Sequence, residues 1–121
     1  MNEPLSSAER QKLFEVDGFV ALRQFLRGAQ LHDLLANVDR LVRDIVPQLP
    51  REHAFYEDRS DVGTLKQVQH MEDHDPSFHE LLTASRFRET AELLLRGPVV
   101  PMNLQYFNKP PKVGRPTPPH Q

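Results

Sequence analysis

Apolar residues recur along most of the chain at three- and four-residue steps, the spacing of one helix face. A first helix starts at Ser6 or Ser7, because Ser6-Ser7-Ala8-Glu9 has the capping-box spacing and Glu9 can reach back to the cap. Leu13, Phe14 and Val16 supply its apolar face, and Gly18 fits the position just past its end. Phe19-Val20-Ala21-Leu22 then reads as a short buried strand. The second helix has the clearest pattern: Leu31, Leu34, Leu35, Val38, Leu41, Val42, Ile45 and Val46 form one stripe, and Pro47 and Pro50 stop it. Residues 51–64 are polar and irregular and read as a loop, and Leu65-Lys66-Gln67-Val68 reads as a short strand or a helix end. Asp75-Pro76 opens a third helix, with Asp as N-cap and Pro at the first helical position. Ser85 caps a fourth, which Gly97-Pro98 ends. Val99 to Phe107 reads as a strand of mixed polarity.

Composition narrows the classes of function. The chain has 121 residues, one ordinary domain's worth or a piece of a larger one. Fifteen basic against 17 acidic residues give −2, a balance that argues against a dedicated nucleic-acid binder. With no cysteine, disulfides, thiolate metal sites and a Cys nucleophile are excluded. No apolar run is long enough to cross a membrane, so no membrane role is expected. The opening Met1-Asn2-Glu3-Pro4 lacks the basic-then-apolar order of a secretory signal, which makes the cytoplasm the expected compartment. Charge and proline are uneven. Lys109, Lys112 and Arg115 make residues 108–121 +3, so the remainder is −2 − 3 = −5, and seven of the 11 prolines fall between Pro98 and Pro119. The last quarter is therefore extended backbone and turns.

Three stretches in order resemble the phytanoyl-CoA dioxygenase family of iron(II)- and 2-oxoglutarate-dependent oxygenases. The first is Phe14-Glu15-Val16-Asp17-Gly18-Phe19-Val20 followed by Phe25-Leu26. The second is Lys66 through Pro76, ending His74-Asp75-Pro76, with Phe78 after it. The third is Lys109-Pro110-Pro111 with His120-Gln121, which is similar to the family's Lys-Pro-Pro segment and His-Gln-Asp iron motif. The resemblance implies an α+β fold: the helical N-terminal portion and first strands of a double-stranded β-helix, jelly-roll or cupin-like, with the barrel incomplete in this chain. Residues 1–121 would form a single partial domain, mainly helical over about 6–97, with a strand and Pro-rich loop over 98–121 leading into the iron motif.

The same resemblance implies the chemistry. Non-haem iron oxygenases hold Fe(II) with two histidines and a carboxylate on one face of the metal, leaving the other face open. His120 matches the first ligand, while the carboxylate would follow Gln121 and the second histidine and an arginine clamp would lie further on, so the chain reads as an N-terminal portion. Lys66 matches a lysine that meets a 2-oxoglutarate carboxylate, and a one-residue shift places Gln67 there instead. Gln121 and Gln105 match further cosubstrate contacts, Gln105 standing where relatives often have Met, and Asn103 lies on the same strand face. Implied cofactors are Fe(II) and 2-oxoglutarate, with ascorbate as accompanying reductant. The implied partner is a small-molecule substrate, hydroxylated as 2-oxoglutarate is decarboxylated to succinate.

Other readings stand beside this one. His120 in a Pro-rich segment, taken alone, is a solvated histidine. Lys66, taken alone, is a surface lysine. Lys109, Lys112 and Arg115 serve solubility as readily as they would meet a phosphate. His70 and His74, four apart and followed by His79, could share a metal on one helix, but Asp75-Pro76 starts a new helix and favours a solvated polar connection. A stand-alone helical interaction module from a split or degenerate gene is the alternative to an enzyme. A small metal-binding module on His70, His74 and His79 is a third reading, in which zinc or nickel binding is lost on His74→Ala.

Overall fold

A computed structural model describes residues 4–112, 116, 118 and 119. Helix α1, Ser7–Asp17, has the expected capping box: the Ser6 hydroxyl accepts from Glu9 N–H and the Glu9 carboxylate accepts from Ser6 N–H. Gly18 closes it in the left-handed region at φ 79°, where a Cβ would be strained. Residues 19–22, expected as a strand, form no ladder. Phe19 is 67% exposed, so that apolar run has no sheet neighbour among the described residues.

Helix α2 spans Ala29–Arg40. The expected stripe continues to Val46, but the helix widens into a π-helical turn over Leu41–Ile45 and tightens into a 3-10 turn over Val46–Gln48. One looser turn shifts the angular register. Leu41 and Val46 are thereby buried, while Leu31, Leu35 and Val42 from the same stripe stay exposed.

The stretch read as loop over 51–64 contains strand β1, Ala54–Tyr56, which pairs antiparallel with β2, Leu65–Val68. Three residues with one buried side chain are too short for a period-two pattern, which is why sequence alone missed β1. Strand β3 is only Tyr106–Phe107, at the end of the longer strand expected over 99–107, and it pairs antiparallel with β2. Pro101 lacks a ladder donor, and Leu104 N–H is taken by a side chain instead of a strand. The result is one small three-stranded sheet in the order β1-β2-β3.

Helix α3, Met71–His74, is one short turn, and Asp75 then caps α4, Pro76–Thr83, by accepting from Ser77 N–H. Ser85 caps α5, Arg86–Leu95, which ends at Arg96 in the left-handed region just before Gly97. Helix α5 packs beside α1, where the Gln11 side chain donates to Leu93 O at 2.8 Å. Phe25 stacks edge-on against Phe87 and carries the Arg86 guanidinium on its face at 4.6 Å.

The core lies between the end of α2, the inner sheet face and α3–α4. Leu41, Val46, Ala54, Leu65, Val68, Met71 and Phe78 form it, flanked by Leu34, Val38, Ile45, Tyr56, Leu81, Leu104 and Tyr106. The Arg40 guanidinium grips both carboxylate oxygens of Asp75 at 2.8 Å, joining the end of α2 to the cap of α4. Glu72 performs a second tie, accepting from Leu104 N–H at 2.9 Å and so anchoring the segment that leads into β3.

Two outcomes follow from these ties. Hydrogen bonds from Arg40 above all, then from Ser77, hold the Asp75 carboxyl at about 2, below its ordinary 3.8. A depressed carboxyl stabilises the fold fully above the unfolded value and loses that contribution as pH falls from 3.8 toward about 2. Thermal melts over this window should show the loss in the native chain and not in Asp75→Asn, while Asp75→Ala, which also removes the helix cap, should lower stability by a further ~1–2 kcal/mol. Glu72→Ala should cost ~1–3 kcal/mol in denaturant titration and speed hydrogen exchange at the Leu104 amide, because a part-buried donor loses its acceptor.

Candidate functional site

The sheet has two faces of different character. Leu65, Val68 and Ala54 point into the core. Gln67 pairs with Phe55 on β1 and with Phe107 on β3, so these three share the outer face, on which Phe107 is 61% exposed. Gln105, two residues before Phe107, reaches the same face, where the Gln67 amide donates to Gln105 Oε1 at 2.7 Å. The Gln105 amide in turn donates to Asn103 Oδ1 at 3.0 Å. Three side-chain amides thus run in a chain along the outer face, and each amide nitrogen carries two donors, only one of which such a contact consumes. This is a neutral, donor-rich strip suited to an oxyanion.

Lys66 is not part of that strip. The ladder pairs Phe55 with Gln67 and Tyr56 with Leu65, which leaves Lys66 as the extra residue of a β-bulge. Its ammonium sits 3.2 Å from Glu57 Oε1, a carboxylate whose side chain is only 12% exposed. Of the residues singled out from the sequence, the structure brings Gln67, Gln105 and Asn103 together and directs Lys66 elsewhere. His120 and Gln121 lie outside the described residues. The strand holding the strip is pinned just beyond β3, where Asn108 N–H donates to Lys66 O at 2.8 Å and its side-chain amide donates to Leu65 O at 3.1 Å. Asn108 immediately precedes Lys109-Pro110-Pro111, and Pro110 is buried.

A second polar cluster follows the C-terminal end of β2. His53 and His74 meet with Nδ1 of the first 2.9 Å from Nε2 of the second, and the His70 ring lies 5.3 Å from that of His53. His70 Nδ1 faces Glu72 and Asp73 oxygens at 3.8 and 3.9 Å. His70, Glu72 and Asp73 offer ligand atoms all within 4.8 Å of one another. His53, twenty-one residues before His74, is the member that sequence spacing could not supply, because only the β1–β2 pairing brings it there. His79, expected beside His70 and His74, is an exposed residue of α4.

Among the described residues no helix is long and apolar enough to cross a membrane. No curated protein and no solved structure matches the chain. The family model described as phytanoyl-CoA dioxygenase (PhyH) matches residues 14–121, from within α1 through the amide strip to the His-Gln pair. The chain therefore belongs to the phytanoyl-CoA dioxygenase family.

Proposed function

We propose that this chain forms the cosubstrate-side, N-terminal part of an Fe(II)- and 2-oxoglutarate-dependent oxygenase that hydroxylates a small organic substrate. The observation that carries the reading is the family match over residues 14–121. When bound, iron and 2-oxoglutarate supply oxygen activation coupled to loss of carbon dioxide, leaving succinate. The chain's own residues hold and orient. His120 would give one imidazole to the iron, and Gln121 would contact the cosubstrate beside it. The donor chemistry of the outer sheet face fits the cosubstrate: Gln67 and Gln105 offer amide N–H groups to a carboxylate, with Phe55 and Phe107 on the same face.

Lys66 and Gln67 compete for one role in the resemblance. The bulge and the Glu57 ion pair favour Gln67 as the cosubstrate contact and leave Lys66 to support the strand. A facial triad takes a second imidazole and a carboxylate besides His120. This reading assigns both to residues outside the 121, so the isolated chain is expected to be inactive.

Succinate formation from 2-oxoglutarate, with Fe(II) and ascorbate present, tests the reading in the protein that carries this sequence. His120→Ala should lower turnover at least about 100-fold. Gln67→Leu and Gln105→Leu should each raise the KM for 2-oxoglutarate about tenfold, while Lys66→Met should leave it within about twofold. Turnover by residues 1–121 alone, or full activity in His120→Ala, would contradict the assignment.

A further inference from the structure

The oxygenase reading gives no work to the histidine cluster that follows β2. Its construction is specific. Gln69 N–H donates to His53 O at 2.9 Å, extending the β1–β2 ladder by one pair and fixing the His53 backbone. The next residue, His70, is held in the left-handed region at φ 56°, a conformation that costs a non-glycine residue on the order of 1 kcal/mol. Contacts on both sides maintain it. Met71 N–H donates to Leu104 O at 3.1 Å, and Glu72 accepts from Leu104 N–H. That reversal starts α3 so that His74, one turn on, returns over His53. The His70 and His74 rings are thereby gathered around His53.

We propose that His53 and His74 form a binding site for a divalent late transition-metal ion of the nickel or zinc type. Two ring nitrogens 2.9 Å apart, each bonded to a metal at ~2.0–2.1 Å, subtend about 90° at the ion, the angle between neighbouring ligands in octahedral or square-planar coordination. A tetrahedral zinc ion would need the two nitrogens only about half an ångström further apart. The surroundings suit a cation. Glu72 and Asp73 place carboxylate oxygens 3.8 and 3.9 Å from His70 Nδ1, so negative charge stands close to the ring that neighbours His53. The His70 side chain is 45% exposed, which gives the ion a path from solvent. An ion here would staple β1 to the β2–α3 reversal.

The competing explanation for the 2.9 Å contact is a simple N–H···N hydrogen bond between two neutral rings, and the two make opposite predictions. Calorimetric titration of the chain with Ni²⁺ and with Zn²⁺ should show one saturable site with a Kd on the order of micromolar. His53→Gln and His74→Gln should each weaken binding at least tenfold, whereas His32→Gln and His79→Gln stay within twofold. Circular dichroism establishes that each variant is folded. A variant-free measurement guards against folding failure: in the unaltered chain, Ni²⁺ should protect His53 and His74 from diethyl pyrocarbonate, read by mass spectrometry, and leave His32 and His79 reactive. Absence of saturable binding, binding unchanged in His53→Gln and His74→Gln, or no selective protection would overturn the proposal and leave a hydrogen-bonded histidine pair only.

Discussion

The bidentate contact between Arg40 and Asp75 fixes the relation of the parts that make the core. Arg40 is the last residue of α2, directly before the fully buried Leu41. Asp75 is the cap of α4, three residues before the buried Phe78. One planar guanidinium meeting one planar carboxylate therefore sets both the distance and the rotation between the two helices whose largest side chains fill the interior. Asp75 is itself only 9% exposed, and Ser77 and the α4 backbone complete its hydrogen bonding, so the charge is not left bare. The sheet then closes the remaining side, with Val68 and Leu65 in the same core cluster.

Much of this was legible in the sequence where chemistry is local. The Ser6–Glu9 capping box, Gly18, the Asp75-Pro76 start and the Ser85 cap all stand where residue type and spacing put them, because a cap needs only its own turn. What was not legible depends on distant partners. Strand β1 exists because β2 pairs with it, and Phe19 to Leu22, equally apolar, has no such partner among the described residues. The π-turn at Leu41–Ile45 is invisible to a counting argument that assumes 3.6 residues per turn. The proposed site divides the same way. Gln105 was reachable from its place before Lys109-Pro110-Pro111, but whether Lys66 or Gln67 shares its face turned on a bulge that no single-strand pattern encodes.

The two polar clusters show how short strands can organise more chemistry than their length suggests. β2 has four residues, yet its outer face carries the amide strip, its inner face carries core residues, and its C-terminal continuation delivers His70 to His53. The tie from Glu72 to Leu104 matters to both clusters, since it fixes the reversal at His70 and also the approach of residues 104–107 to β2.

The bulge has a consequence for how the outer face would respond to its surroundings. By leaving the one cation of the segment paired with Glu57, it gives Gln67, Gln105 and Asn103 a strip with no formal charge. Attraction between full charges across solvent fades as ionic strength rises, because the screening length shrinks from about 10 Å at 0.1 M salt to about 3 Å at 1 M. Short-range donation from amide dipoles is far less sensitive to that cloud. An anion held by this strip would keep its grip in concentrated salt, where one held by an exposed lysine would let go.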